Sequence, residues 1–174
     1  MDRVKAAIFS SLADKVFGAR VLDLFAGSGA LGIEALSRGA AAALFVDQDR
    51  QAIATIETNL KKAKVEGKTR QHDVFELVNR PSSFAPLGKF DLIFADPPYE
   101  HTPSGERYTD KLLQSSSLLG LLNDDGLFIL EKRPSENLPD MPLWTLIRQK
   151  TYGATEVLFL SPNPQSVVHN SPTE

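Results

Sequence analysis

The chain has 174 residues, 42% hydrophobic and 24% charged, with a formal net charge of −3 and no Cys. That length fits one domain with a real core, which excludes whole-chain disorder, and the missing Cys excludes disulfide scaffolds, Cys-based zinc sites, iron–sulfur clusters and thiol nucleophiles. The acidic balance argues mildly against a bulk nucleic-acid binder.

Val4, Ile8 and Leu12 repeat every four residues, so 2–13 reads as a helix with an apolar stripe. Arg20–Phe25 is a compact buried strand, 26–29 a turn and 30–38 a helix. Residues 43–47 form the second strand. From 49 to 64, Ile53, Ile56, Leu60 and Ala63 line one helical face, with Lys61, Lys62 and Lys64 in the last turn and Gly67 stopping it. Residues 69–72 are a weak third strand, 90–95 a clear fourth, 106–121 a helix and 126–131 a fifth strand. Two more, near 143–150 and 154–160, follow with no helix between them and read as a hairpin turning at Tyr152-Gly153. This alternation predicts an α/β fold: a mostly parallel sheet with helices on both faces and a C-terminal antiparallel hairpin. One domain over 1–160 is expected, followed by a Pro-, Ser- and Asn-rich flexible tail over 161–174. No apolar run approaches the ~18 residues of a membrane span, and Met1–Lys5 leads into no apolar signal region, so no membrane partner and a cytoplasmic location are expected.

Ligands in such sheets bind beyond the carboxyl ends of the strands. Three of these ends carry acids: Asp23, Asp47 and Asp96. Gly27, Gly29 and Gly32 satisfy G-x-G-x-x-G between a strand and a helix, and Asp47 closes the next strand. That is the general dinucleotide fingerprint, with the acid placed to accept from ribose hydroxyls. Asp23 discriminates between ligands. It would repel a pyrophosphate and attract an ammonium group, so D-x-F-x-G-x-G suits S-adenosylmethionine better than NAD. Phe25 and Gln48 lie beside these positions and join the candidate cofactor-binding set. Asp73 would end the third strand and accept from an adenine amino group, with Val74 offering a backbone N–H; a plain helix cap explains Asp73 equally well.

Asp96-Pro97-Pro98-Tyr99 follows a buried strand. The prolines fix the backbone and cannot continue the sheet. The arrangement suits methylation of an exocyclic ring amine, whose lone pair is delocalised. The Asp96 carboxylate and the Pro97 carbonyl can each accept one N–H, and Tyr99 can stack on the base. The competing reading is a Pro-Pro turn with a capping Asp and a packed Tyr. No His–carboxylate pair has metal-ligand spacing, so no metal is expected. His72, His101 and His169 are scattered, and His101 reads as a surface residue. Arg3 suits a solvated helix position as well as a cofactor or RNA contact. Trp144 reads as core.

On these residues the sequence resembles a class I S-adenosylmethionine-dependent methyltransferase with a Rossmann-like fold. More narrowly it resembles the RsmD family, which methylates guanine N2 in bacterial 16S ribosomal RNA. Asp2-Arg3-Val4-Lys5-Ala6-Ala7-Ile8-Phe9, the run Asp23–Gly32 with Glu34–Gly39, Asp96–Tyr99 and Tyr152–Thr155 carry the likeness, which covers about 2–160. It implies that Asp96, Pro97 and Tyr99 serve the acceptor and that Asp23, Phe25, Gly27, Gly29, Asp47, Gln48, Asp73 and Val74 serve S-adenosylmethionine. Ribosomal RNA, in the small subunit or an assembly intermediate, would be the partner of a monomeric enzyme. Alternative acceptors under the same D-P-P-Y logic are adenine N6, cytosine N4 and a glutamine amide. Two other classes remain open: an NAD-dependent oxidoreductase and a non-catalytic cofactor-binding module. The family usually begins earlier, with a basic segment expected to grip RNA, so a shortened start is expected here. Glu100–Tyr108 is longer than the resemblance implies and reads as a lid or a solvated loop.

Overall fold

In the computed structural model, which describes residues 2–84 and 87–167, the four-residue apolar repeat of the opening segment forms helix α1 (Asp2–Leu12), with Ile8 and Leu12 buried against the sheet. A short 3-10 turn (Ala13–Val16) leads into β1 (Arg20–Leu24), followed by α2 (Ala30–Ser37), β2 (Ala42–Asp47), α3 (Arg50–Ala63), β3 (Lys68–Gln71), α4 (Val74–Val78) and β4 (Phe90–Ala95). Then come α5 (Tyr108–Leu113), α6 (Ser116–Gly120), β5 (Leu122–Lys132), β6 (Trp144–Tyr152), β7 (Thr155–Pro162) and α7 (Pro164–Val167).

The strands form one sheet in the order β3-β2-β1-β4-β5-β7-β6. The first five in sequence pair in parallel, and β7 runs antiparallel to both β5 and β6. Strand order reverses between β1 and β4, which opens a crevice at their carboxyl ends. Period-two alternation divides the core into two layers. Val21, Phe45, Phe94 and Ile129 face α1, α2 and α3; Leu22, Val46, Ile93 and Leu130 face α4, α5 and α6.

Several expected boundaries move, each for a local reason. The single helix over 106–121 is two, because the Ser115 hydroxyl caps a second helix by accepting from the Leu118 N–H at 3.0 Å. Gly67 does not stop α3. Lys64 does, in the left-handed region at φ +57°, while Gly67 lets the ring of Phe45 pass where a Cβ would lie 2.8 Å from it. β3 begins one residue earlier than expected, at Lys68. β5 begins at Leu122, and its register against β4 shifts between Phe90 and Leu92. Residues 161–167 are not a loose tail: β7 continues through Pro162, and Asn163 donates to the carbonyls of Leu143 at 2.8 Å and Pro142 at 3.1 Å. The remainder of the expected tail, His169 included, lies outside the described residues.

At the end of β5, Lys132 is buried and pairs with Glu156 of β7. Its Nζ donates to Glu156 Oε2 at 2.6 Å and to the Arg133 carbonyl at 2.7 Å, and Gln149 donates to the other Glu156 oxygen. β6 lies at the edge of the sheet. It exposes Leu146 and Ile147, and its register against β7 slips between Leu146 and Arg148. Trp144 is core, its indole N–H donating to the Leu113 carbonyl at 3.1 Å. No helix among the described residues is long and apolar enough to cross a membrane.

Candidate active site

Asp23 sits opposite Phe45 on β2 and Phe94 on β4, and Phe94 sits opposite Ile129 on β5. Two positions further along these strands come Asp47, Asp96 and Glu131. Four adjacent strand ends therefore present four acids to one crevice, and alternation puts Asp23, Asp47 and Glu131 on the same face.

Asp23 is 3% exposed, and its Oδ2 accepts from the Gly32 N–H at 3.0 Å. Burial pushes its carboxyl up to about 8; the Gly32 hydrogen bond opposes this, and Asp96 and Asp47 add to it. A Cβ on Gly32 would lie 2.4 Å from the Phe45 ring, so the third glycine of the motif serves helix–strand packing.

The turn after β1 is built on left-handed backbone. Phe25 adopts φ +52°, Gly27 +58° and Gly29 +79°. Such a conformation is strained for a residue carrying a Cβ, as Phe25 does. Asp47 holds the turn by accepting from the Gly27 N–H through Oδ2 and from the Asp49 N–H through Oδ1, both at 2.9 Å. Asn59 of α3 donates to the Ser28 carbonyl at 3.0 Å. A Cβ on Gly27 would meet nothing within 4 Å, so that side of the turn is open to a ligand. Gly29 lines no part of the crevice; a Cβ there would lie 3.2 Å from both Ile33 and Ile56.

The crevice has two lobes of about 250 Å³ each, and both are lined by Phe25 and Asp96. One lobe holds Asp47, Gln48, Asp73 and Val74, with Pro98 and Tyr108. The other holds Asp23, Gly27, Glu131, Tyr99 and Thr155, with Val4 and Lys5 of α1 among its walls. Asp73 is indeed a helix cap, Oδ1 accepting from the Glu76 N–H at 3.0 Å, and this capping is what seats it and Val74 at the crevice. Phe25, Phe75 and Tyr108 stand about the same distance apart, with ring centroids 5.9–6.0 Å from one another.

Asp96 opens into the crevice beside Glu131, and the two carboxyl groups are in hydrogen-bond contact. Partial burial raises the Asp96 carboxyl, and the contact with Glu131 lowers it. Burial, then the charge of Asp96, pushes Glu131 up to about 8. Tyr99 is 39% exposed; the Arg133 guanidinium lies 4.1 Å from its ring centroid, and Thr155 shares its lobe.

Pro97 is buried beneath this turn. Arg3 is exposed, and it is Lys5 that reaches the crevice. Glu100–Tyr108 folds as a fastened turn. His101 bridges to Arg107, the Thr102 N–H donates to the Glu106 carbonyl at 2.7 Å, and Arg107 grips Asp110 at 2.9 and 3.0 Å. Only Tyr108 of this segment lines the crevice.

Glu131, Tyr108, Thr155 and Lys5 escaped the sequence reading as site residues. Glu131 carried a usable signal: it is an acid closing an apolar strand, as Asp47 is.

The lining chemistry tests the cofactor. Among the described residues, Lys5 is the one cation facing five acids across the two lobes. With a single cation against these acids the crevice disfavours the pyrophosphate of NAD and suits a ligand bearing a sulfonium and an ammonium. An acid-walled crevice of this kind, at the reversal of a 3-2-1-4-5-7-6 sheet, defines a class I S-adenosylmethionine-dependent methyltransferase.

Comparison with known proteins narrows the class. The family model described as Conserved hypothetical protein 95 matches residues 1–161. Over 154 residues the chain is 37% identical to ribosomal RNA small subunit methyltransferase D of Escherichia coli K12, covering 87% of this chain and 73% of that one. The solved structure of yhhF from Escherichia coli superposes with a TM-score of 0.79 at 30% identity, covering 94% of this chain and 87% of that one. An RNA methyltransferase from Salinibacter ruber, crystallised with S-adenosyl-L-homocysteine, shares the fold at a TM-score of 0.67 and 20% identity, covering 100% and 96%. The chain belongs to the Conserved hypothetical protein 95 family, the RsmD family that its motifs resemble.

Proposed function

We propose that this chain transfers a methyl group from S-adenosylmethionine to the exocyclic N2 amine of a guanine in small-subunit ribosomal RNA. The observation that carries the reading is the place of Asp96. It lines both lobes, so a cofactor laid across them and an acceptor entering beside Tyr99 would meet at its carboxylate. The relatives named as ribosomal RNA small subunit methyltransferases support the choice of RNA.

Asp47 keeps a free lone pair on each oxygen, which suits two ribose hydroxyls. Asp73 and Val74 serve the adenine, with Gln48 at the rim and Phe25 between the lobes. Asp23 and the open side of Gly27 take the ammonium end, and Gly29 acts by packing the turn. Bound S-adenosylmethionine supplies an electrophilic methyl group. Asp96 and the Pro97 carbonyl accept the two N–H groups of the guanine amine and localise its lone pair. Tyr99, with Arg133 against its ring, stacks on the base. Most of the rate comes from positioning and fixed dipoles. Once methylated, the amine nitrogen is acidic and sheds a proton, which Asp96 would be placed to accept. We take the protein to be a cytoplasmic monomer of one domain, acting on the small subunit or an assembly intermediate of it.

The test supplies labelled S-adenosylmethionine and small subunits whose RNA is unmethylated at guanine N2. Wild type labels guanine N2, and Asp96→Ala binds S-adenosylhomocysteine but transfers no methyl group. Label on adenine N6, cytosine N4 or a glutamine amide alone would sink the guanine reading. Full transfer by Asp96→Ala would remove its catalytic role.

A further inference from the structure

Glu131 belongs to no motif and is assigned no part in the chemistry above. Yet it is only 9% exposed, lines the same lobe as Tyr99, and touches Asp96. The register explains the contact. Ala95 of β4 pairs with Leu130 of β5, so the next residue on each strand, Asp96 and Glu131, stand side by side at the mouth of the crevice.

Two carboxyl groups in hydrogen-bond contact need a proton between them, since neither carboxylate alone has one to donate. Burial decides where it sits. Glu131 is enclosed and Asp96 is open to the crevice, and the charged form is costlier on the enclosed partner. We propose that Glu131 is a positioning residue for methyl transfer: it keeps a proton, donates it to one oxygen of Asp96, and so leaves the other Asp96 oxygen aimed at the incoming amine. The titrating pair then carries a single negative charge. The acceptor half of the proposal rests on the function proposed above; the shared proton rests on the chain alone.

Of the charges acting on the pair, Asp23 on β1 disfavours a second negative charge, and the positive charge of the amino terminus acts the other way and more weakly. Lys5 on α1 pairs with Glu34, and Arg133 lies over the Tyr99 ring. Glu156 of β7 is taken up by Lys132. Alkaline pH removes the proton, leaving two adjacent carboxylates and an Asp96 without its donor.

Two measurements test this. In the first, carboxyl carbons of the 13C-labelled chain are followed by NMR across pH, without RNA. Glu131 should remain protonated past neutrality, and Asp96→Asn should move its titration down. A Glu131 that titrates as an ordinary surface glutamate, or is indifferent to Asp96→Asn, overturns the shared proton. In the second, kcat and KM on small-subunit RNA are compared for Glu131→Leu and Glu131→Gln, with S-adenosylhomocysteine binding as the check on folding. Glu131→Leu should lose about 10- to 100-fold in kcat with KM and cofactor binding little changed. Glu131→Gln, a permanent donor to Asp96, should recover most of that loss and abolish the alkaline fall in rate. Gln failing as badly as Leu, or both retaining wild-type rates and pH profile, overturns the positioning role. A wild type that binds cofactor but methylates no RNA overturns the acceptor reading instead, and the carboxyl titration still decides the proton.

Discussion

Asp47 and Gly27 are joined across twenty residues of chain by a 2.9 Å hydrogen bond, so the acid that ends β2 fixes the ligand-facing turn after β1. Asp47→Ala removes that bond together with two free lone pairs. Binding of S-adenosylhomocysteine, measured by calorimetric titration, should weaken by about 10- to 100-fold, as expected for losing hydrogen bonds to a charged acceptor. Unchanged affinity would place the ribose elsewhere.

Gly32 packs against the Phe45 ring and donates to Asp23. In Gly32→Ala the new Cβ forces the ring or the helix to move. A loss of about 1–3 kcal/mol is expected from urea unfolding, the usual cost of overpacking. Gly27→Ala provides the contrast. Its Cβ is free of contacts, so backbone strain at φ +58° and intrusion on the ligand should dominate, with cofactor binding hit harder than stability.

Asp23 makes stability depend on pH. Its folded pKa is raised from 3.8 to about 8, so the native state holds a proton that the unfolded chain releases. The stabilisation is complete below pH 3.8 and is lost as pH rises through about 8. In the absence of ligand, unfolding free energy should fall over that window, and Asp23→Asn should flatten the fall. Glu131, also raised to about 8, supplies the remaining slope. A cationic cofactor favours the ionised acid, so its binding near neutral pH should release protons. Calorimetry in two buffers of different ionisation enthalpy reads that number directly, and no release would mean that Asp23 stays neutral in the complex.

Tyr99 separates stacking from hydrogen bonding. Tyr99→Ala should lower kcat/KM on RNA by about 10- to 100-fold, in line with the cost of losing one base–aromatic stack. Tyr99→Phe keeps the ring and loses only the hydroxyl, so its effect should be much smaller. Equal losses in both would assign the hydroxyl, not the ring, to the acceptor.

The parts legible in the sequence were those whose physics is local. The glycine turn, the Pro-Pro turn and the apolar strands announce themselves within a few residues, and they place Asp23, Asp47 and Asp96 at one end of the sheet. Asp73 shows that two readings need not compete: it caps α4 and, by doing so, lines the crevice. Glu131 was missed because its partner lies on a neighbouring strand, and only the β4–β5 register brings the two together. Ser115 was missed as a helix cap because its hydroxyl interrupts an otherwise helical apolar pattern. Lys64 ends α3 in a left-handed conformation that sequence would sooner give to a glycine. The site's floor was thus readable from motifs, and its lateral contacts were not.

The slip in register between Leu146 and Arg148 has a colloidal consequence. β6 is a long outer strand with two exposed apolar side chains, the kind of edge that invites a second chain to add on. The irregularity breaks the even row of backbone donors and acceptors that such addition needs. Arg148 donates to Ser11 of α1 at 3.0 Å, which also holds a charge against the kinked stretch. With Lys150 exposed further along, the edge offers a poor template for a second strand despite the exposed Leu146 and Ile147.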